Sequence, residues 1–248
     1  MAGFRDRFVP RLQRAPNEFP TLREDSDDRD DRVEWGITSP REPRWPATLA
    51  VVGAIVLQLV LPGTVSLYLG PRWLIPALEG VLAAALLIAN PWHTTESRNL
   101  RPVSIGLIVL INGANLVALG ELVSALLNGT TAGGRNLVFA SVPIWLTNVI
   151  VFGLWYWELD RGGPAARLKA GHPAPDFLFP QQTAPGAAPG WTPTFLDYLY
   201  TSFTNATAFS PTDTMPLSPW AKLLMMIQSL ASLLTVALVI SRAVNILR

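Results

Sequence analysis

Long uncharged apolar runs alternate with short polar turns along most of this chain. No charged residue occurs between Arg44 and Arg72, from Pro102 to Gly120, from Asn136 to Trp157, or between Lys222 and Arg242. A helix needs about 20 apolar residues to cross a hydrocarbon core about 30 Å thick. The pattern therefore predicts five transmembrane helices, at about 47–69, 74–90, 102–127, 136–157 and 222–242.

The N-terminal segment has the opposite composition. Residues 1–46 hold 19 of the 37 charged residues, and the run from Arg23 to Glu34 has one apolar residue in twelve. Such a segment cannot bury enough apolar surface to offset its ordering entropy. We predict a disordered charged tail over 1–46, whose partner the sequence leaves unknown, a three-helix transmembrane bundle over 47–135 and a second membrane module over 136–248.

Composition narrows the function classes. Half of the residues are hydrophobic and 15% are charged, against about 25% charged in ordinary soluble domains. This favours an integral membrane protein over a soluble enzyme or a nucleic-acid binder. The absence of cysteine excludes disulfides, iron–sulfur clusters and thiolate zinc. Two histidines, His93 and His172, are too few for a histidine metal site.

No catalytic motif is present in the sequence. Nucleotide-binding loops, zinc-protease helices and the serine-hydrolase elbow each need a fixed spacing of glycines, histidines or a nucleophile, and none of these spacings occurs. We therefore expect no enzyme activity, no catalytic residue, no metal and no cofactor.

The segment between the fourth and fifth predicted helices differs in kind. Residues 161–193 are rich in Gly, Pro and Ala, which predicts an irregular loop. Thr192 before Pro193 predicts a helix start, and about 15 aromatic and apolar residues follow, interspersed with Thr, Ser and Asn. That stretch is too short and too polar to cross the membrane readily as a helix. It is typical of a re-entrant half-helix, whose end must be surrounded by protein or a water-filled cavity.

The string Tyr200-Thr-Ser-Phe-Thr-Asn-Ala-Thr-Ala-Phe-Ser-Pro-Thr-Asp-Thr-Met-Pro-Leu-Ser218 resembles the pore helix, filter and exit of the potassium-channel superfamily. In those channels a Ser-Phe-Thr-rich helix leads into Thr-Val-Gly-Tyr-Gly-Asp. The resemblance covers roughly 136–248, and the whole chain resembles bacterial integral membrane proteins that share this C-terminal pattern. It implies an outer helix, a pore helix, a filter and an inner helix. The implied pore and filter residues are Thr207, Ala208, Phe209, Ser210, Pro211, Thr212 and Asp213.

The filter departs from the family pattern. Ser210 and Thr212 replace both glycines, and Pro211 replaces the tyrosine. Potassium filters use backbone carbonyls as ion ligands, in conformations that glycine adopts and proline cannot. The resemblance therefore implies a wider, hydroxyl-lined, weakly selective pore for monovalent cations, or a pore that has lost conduction. Asp213 would attract cations at the filter mouth, or it would cap a turn.

The last helix carries polar residues at helical spacing. Gln228, Ser232 and Thr235 share one face. As part of an inner helix they would line a cavity. The alternative is ordinary helix–helix contact, which also uses hydroxyl and amide groups.

Three glycines and several acids inside the predicted spans carry further expectations. Gly106, Gly113 and Gly120 repeat every seven residues and predict a close-packing seam. Glu79 and Glu121 are functional candidates because intramembrane carboxylates are costly. The alternative for these two is an interfacial position or an ion pair with an arginine, Arg72 or Arg135. The acids at the end of the fourth helix, Glu158 and Asp160, are expected to be interfacial.

Charge distribution and the channel resemblance disagree about orientation. Basic residues favour the cytoplasmic side, and with the tail inside, the inner segments hold 15 Lys and Arg against 4 outside. The pore-like loop would then enter from the cytoplasm, opposite to a potassium channel. Three explanations stay open: an inverted pore as in glutamate receptors, a full crossing by residues 194–209, or failure of the charge rule.

The sequence thus predicts an all-α polytopic membrane protein with five transmembrane helices and one re-entrant pore-like half-helix. One such module cannot enclose a pore alone, so we expect a homotetramer in the lipid bilayer, acting as a weakly selective cation channel. The alternative is a non-conducting membrane scaffold or assembly subunit that retains a pore-like fold. A transporter is less favoured because no inverted halves with interrupted helices are present.

Overall fold

The computed structural model describes most of the chain beyond the charged tail. The described residues are 44–61, 73–89, 101–127, 134–167, 173–183, 191–207 and 213–246. All of them belong to one unit, Thr38–Arg248. Residues 1–43 of the predicted tail and the predicted filter residues Ala208, Phe209, Ser210, Pro211 and Thr212 lie outside the described residues.

The described residues are mostly helical, with one small pair of strands. The helices are α1 (Trp45–Val60), α2 (Leu74–Ala89), α3 (Arg101–Leu127), α4 (Gly134–Leu159), α5 (Pro164–Arg167), α6 (Pro180–Thr183), α7 (Phe195–Thr207) and α8 (Pro219–Ile246). A 3₁₀ turn, Asp160–Gly162, follows α4. The strands β1 (Phe177–Leu178) and β2 (Met215–Pro216) pair antiparallel. The predicted helical fold is confirmed, with this strand pair as the addition.

Three helices are long and apolar enough to cross a membrane. The candidate spans are Arg101–Ala125 of α3, Phe139–Gly162 of α4 and Pro219–Ser241 of α8. The helices α1 and α2 are apolar but have 16 residues each, which corresponds to about 24 Å. These features are those of a membrane protein.

The first helix ends earlier than its composition suggests. The apolar run continues to about residue 69, yet α1 ends at Val60. Leu61 has ψ of 132°, an extended conformation, because the ring of Pro62 disfavours the helical conformation of the residue before it. The helix therefore breaks at Leu61, inside the predicted span 47–69, whose residues 62–69 lie outside the described residues.

The helix α4 is the centre of the bundle. The fold buries 67% of an apolar 18-residue stretch of α4, against 39% for the corresponding stretch of α3 and 28% for that of α8. Side chains of α4 form the main core with α1, α3 and β1. Val151, Phe152, Leu154 and Tyr156 of α4 pack with Ala54, Ile111 and Phe177. The other helices and β1 are therefore held in place mainly by burying apolar side chains against α4.

Both ends of the bundle are marked by polar contacts. At one end, Arg101 at the start of α3 lies 3.3 Å from Glu158 at the end of α4, and Arg44 before α1 lines the same cavity as Glu158. We call this the tail end. At the opposite end, Gln58 donates to the Glu79 carboxylate at 3.2 Å. Glu79 is fully buried, and its expected interfacial position or ion pair with an arginine stays a prediction.

The predicted glycine seam does not form within the chain. Gly106, Gly113 and Gly120 lie on the exposed side of α3, and a Cβ added at any of them would meet nothing within 4 Å. The close approach occurs instead at Gly153 of α4, where a Cβ would lie 3.2 Å from the Cα of Leu199. Gly153 thus allows α7 to pack closely against α4.

Candidate functional site

The helix α7 lies antiparallel along α4. At its start, the rings of Phe195 and Trp157 are 6.0 Å apart. Two turns further on, the Ser202 hydroxyl donates to the Val149 carbonyl at 2.6 Å. Residue numbers rise along α7 while the numbers of their partners on α4 fall, so the two helices are antiparallel. Because α4 ends at the tail end, α7 starts there and runs toward the middle of the bundle.

The helix α8 runs parallel to α7 from the same end. Three contacts connect the two helices with a nearly constant offset in sequence, and each joins a polar side chain to its neighbour. They pair Gln228 with Ser202, Ser229 with Asn205, and Ser232 with Ala206. The inner end of α7 therefore lies beside Ser232, about midway along α8.

The chain returns to the tail end before α8 begins. The Thr201 hydroxyl donates to that of Thr214 at 3.1 Å, two turns back from the end of α7. The Leu217 amide donates to the Asp176 carbonyl at 2.8 Å, beside the β1–β2 pair. Residues 195–216 thus begin and end at one end of the bundle.

The start of α7 is capped two residues later than predicted. Thr194, and not Thr192, precedes the helix, and Asp197 accepts bonds from both the Thr194 amide and hydroxyl at 2.8 Å. This is one half of a capping box, with Asp in the position usually held by Glu. The Asp197 amide donates to the Thr194 carbonyl at 3.0 Å and not to the Thr194 hydroxyl.

A buried polar network joins α4, α7 and α8 at Gln228. Its side-chain oxygen accepts hydrogen bonds from the Tyr156 hydroxyl at 2.5 Å and the Asn205 amide at 2.7 Å. Its nitrogen donates to the Ser202 carbonyl at 2.9 Å and hydroxyl at 2.6 Å. Gln228 is 0% exposed, so it is a satisfied buried amide within one chain.

The other predicted cavity-lining residues also face the interior of the chain. Ser232 donates to the Ala206 carbonyl and accepts from the Trp145 indole at 2.7 Å. Thr235 donates to the Ala231 carbonyl of its own helix at 2.8 Å. All three polar side chains of this face are buried, which is the arrangement expected for helix–helix contact.

The two described residues of the predicted filter region lie at its edges. Thr207 is half-buried, and its hydroxyl donates to the Thr204 carbonyl at 2.8 Å. Asp213 is exposed. It is next to Thr214 on residues 213–218, which precede α8 and which we call the returning segment. Their assignment to a filter stays a prediction.

A buried charged cluster holds α7 and the segment before β1 at the tail end. One oxygen of Asp160 accepts from the Tyr198 hydroxyl at 2.5 Å and lies 3.5 Å from the Arg161 guanidinium. Its other oxygen accepts from the Asp176 amide at 2.8 Å. The Asp176 carboxylate in turn accepts from the Arg161 amide at 3.1 Å. Asp160 thereby links the end of α4 to α7 and to the segment before β1.

A second part of the cluster surrounds the last turn of α4. Arg167 donates to the Trp157 carbonyl at 2.8 Å, and its guanidinium lies over the rings of Trp157 and Tyr198 at 5.9 and 5.4 Å. Glu158 pairs with Arg101. Glu158 and Asp160 are 1% and 0% exposed, so both are buried among protein partners at the end of α4, and their position at the membrane interface stays a prediction.

The backbone turn after α4 requires glycine. Arg161 has φ of 54°, and Gly162 and Gly163 have φ of 79° and 95°. A Cβ on Gly163 would lie 2.8 Å from the Glu158 carbonyl oxygen. The Gly-Gly pair therefore ends α4 sharply and directs the chain toward the charged cluster.

Several residues of the site were not predicted from the sequence. Tyr156, Asn205 and Ser202 complete the network around Gln228, and Tyr198 and Arg167 complete the cluster around Asp160. The spacing of Ser202 and Asn205 on one face of a short helix was the available signal.

Comparison of the chain with protein-family models, curated proteins and solved structures finds no match in any of the three.

The Gln228 network gives a direct prediction of stability. We expect Gln228→Leu to lower the free energy of unfolding by about 2–3 kcal/mol, because Tyr156, Asn205 and Ser202 each lose a buried partner. The matched control is Thr235→Val on the same face, which removes only a bond within α8 and should cost about 0.5 kcal/mol. Thermal unfolding in detergent measures both. Equal effects would show that the network does not stabilise the bundle.

Proposed function

We propose that residues 134–246 form a channel-like module that passes cations as part of a homotetramer in the plasma membrane. The observation that carries this proposal is the hairpin of α7 and the returning segment. It enters and leaves at one end of the bundle, beside the parallel helix α8. A pore module needs four elements in this order: an outer helix, a short inward helix, a returning segment and a second long helix.

The dimensions of α7 support a re-entrant position. Its 13 residues span about 20 Å, less than the hydrocarbon core of about 30 Å. Its inner end lies beside Ser232, well inside the candidate span of α8. In this proposal α3, α4 and α8 cross the membrane. The helices α1 and α2 also cross, because they are longer and more apolar than α7, which carries Thr, Ser and Asn and does not cross.

The same arrangement favours an inverted pore. The tail precedes α1 at the end where the hairpin also begins, and this end receives 15 of the chain's 19 basic residues under the five-span arrangement. The positive-inside rule then makes the tail end cytoplasmic. A hairpin entering from that side agrees with the charge rule, and the full crossing by residues 194–209 is not needed.

The exposed apolar side of α7 supports an assembly of several copies. Leu196, Tyr200 and Phe203 are 68%, 57% and 47% exposed along one side of α7. The carbonyl groups at the end of a half-helix within a bilayer need protein or a water-filled cavity around them. A ring of four copies would supply both around a central axis.

Cation flux through reconstituted protein tests the proposal. We expect a native mass near four times 27.0 kDa and a flux of monovalent cations into liposomes. Asp213→Asn should reduce that flux several-fold at low ionic strength, because the exposed carboxylate would no longer concentrate cations at the mouth. The control is Asp197→Asn, which lies in the cap of α7. Flux equal to that of empty liposomes would contradict the proposal.

A non-conducting scaffold is the second candidate, and one observation favours it. Gln228, Ser232 and Thr235, the polar side chains expected to line a cavity, are buried and hydrogen-bonded within one chain. In a scaffold the hairpin would serve packing alone. Asp213→Asn would then leave the mass of the assembly and all fluxes unchanged.

A further inference from the structure

A carboxyl group lies inside the apolar helix α2. Glu79 is the one ionisable residue of α2, and α1, which packs beside it, contains none. Glu79 is the sixth residue of α2, which places it about 8 Å from the start of the helix. Its side chain is 0% exposed. A charge on Glu79 would therefore be shielded from water between two apolar helices.

The hydrogen bonds of Glu79 suit an uncharged carboxylic acid. Gln58 Nε2 donates to Glu79 Oε1 at 3.2 Å, and Glu79 Oε2 is buried with no hydrogen-bond partner among the described residues. An ionised carboxylate only accepts hydrogen bonds, whereas a carboxylic acid also donates one, and the Gln58 amide has both a donor and an acceptor. Glu158 and Asp160 differ, because each lies beside an arginine, at 3.3 and 3.5 Å.

The charged residues of α3 supply no counter-charge at this end of the bundle. The helix α3 also packs against α2. Arg101 starts α3 at the tail end, beside Glu158. Glu121, near the end of α3, lies toward the end where Glu79 lies and is itself an acid. The side chains of Arg72 and Arg135 lie outside the described residues, so substitution of each must test whether it pairs with Glu79.

We propose that Glu79 is a proton-binding site, held as an uncharged carboxylic acid beside Gln58, and that a membrane-soluble carbodiimide modifies it. An unpaired carboxylate is so costly to bury that the group takes up a proton instead. Ionisable residues inside membrane spans mark proton and ion sites. The inference requires a membrane around α2, but it does not require the hairpin to conduct ions.

Dicyclohexylcarbodiimide tests the site because it dissolves in lipid and reacts with protonated carboxyl groups. The acid adds across one C=N bond of the reagent: its oxygen bonds to the central carbon, and its proton goes to one nitrogen. The acyl group then moves from that oxygen to the other nitrogen, which leaves a stable N-acylurea. No atom is lost, so the chain gains the mass of one reagent molecule.

Full-length protein in phosphatidylcholine liposomes is treated at neutral pH, and mass spectrometry of its peptides locates the reagent. We expect one molecule per chain, on Glu79. Glu79→Gln keeps the size of the side chain and should lose this label, whereas the matched control Glu121→Gln should keep it. A water-soluble carbodiimide should label the exposed Asp213 and leave Glu79 unmodified. The infrared band of a protonated carboxyl group should be present in the wild type and lost in Glu79→Gln.

Three results would overturn the inference. The first is no dicyclohexylcarbodiimide on Glu79 of the wild-type chain, a result that needs no variant to fold. The second is equal labelling of Glu79 by the water-soluble reagent, which would show that water reaches it. The third is labelling of Glu79 only after Arg72→Gln or Arg135→Gln, which would make Glu79 a charged carboxylate paired with that arginine.

Discussion

Cysteines introduced at Thr192 and Asp213 should react with a membrane-impermeant maleimide from the same side of the membrane. Thr192 lies just before α7, and Asp213 lies beside the Thr214–Thr201 contact on the returning segment. A re-entrant hairpin places both at the tail end, whereas a sixth crossing would place them on opposite sides. The chain contains no cysteine, so single substitutions give labelling without background.

Two further positions make the labelling experiment decisive. Gly129→Cys, in the connection between α3 and α4, should react from the opposite side, and Ser39→Cys in the tail should react with Thr192→Cys and Asp213→Cys. In intact cells we expect only Gly129→Cys to react, since the tail end is proposed to be cytoplasmic. Reaction of Asp213→Cys from the side of Gly129→Cys would reject the re-entrant hairpin, and reaction of Ser39→Cys in intact cells would reject the orientation.

The long helices could be predicted because a membrane leaves an apolar chain few options. Within lipid, backbone groups must be satisfied inside the segment, so a long apolar run becomes a helix. The limits of α3 and α4 fall within two residues of those expected from hydropathy. The exception is α1, where the local effect of Pro62 on Leu61 ends the helix inside an apolar run.

The polar partners could not be predicted because they are distant in sequence. Tyr156 and Gln228 are 72 positions apart, and Asp160 and Tyr198 are 38 apart. A single sequence shows which side chains are polar, but the pairing depends on how helices pack. For the same reason the periodic glycines of α3 suggested a contact face, while Gly153, which makes the close contact, has no periodic partner.

Two facts now bear on the choice between channel and scaffold. The hairpin returns to the end where it begins, as a pore loop does. The polar face of α8 is used within the chain, as in ordinary packing. Gln228, Ser232 and Thr235 are therefore not available to line a cavity between copies of the chain. Substitutions in α8 should then change stability more than ion selectivity.

Removing the carboxylate of Asp160 should have the largest effect on stability of any single change in the bundle. We expect Asp160→Ala to lower the free energy of unfolding by about 3–5 kcal/mol, because it leaves the buried Arg161 guanidinium without its counter-charge. The Tyr198 hydroxyl and the Asp176 amide also lose their acceptor. Thermal unfolding in detergent measures the change, and Asp197→Ala, which removes only a helix cap, should cost about 1 kcal/mol.

The Asp160 variant also separates a stabilising role from a positioning role. Asp160 joins the end of α4 to α7 and to the segment that pairs with β2, so its loss should speed hydrogen exchange at β1 and β2 more than in α3. Tyr198→Phe removes one bond to the same carboxylate and should show a smaller change of the same kind, about 1.5–3 kcal/mol in stability. If Asp160→Ala destabilises no more than Asp197→Ala, the hairpin is held by its apolar contacts with α4. The returning segment would then keep its place without the charged cluster.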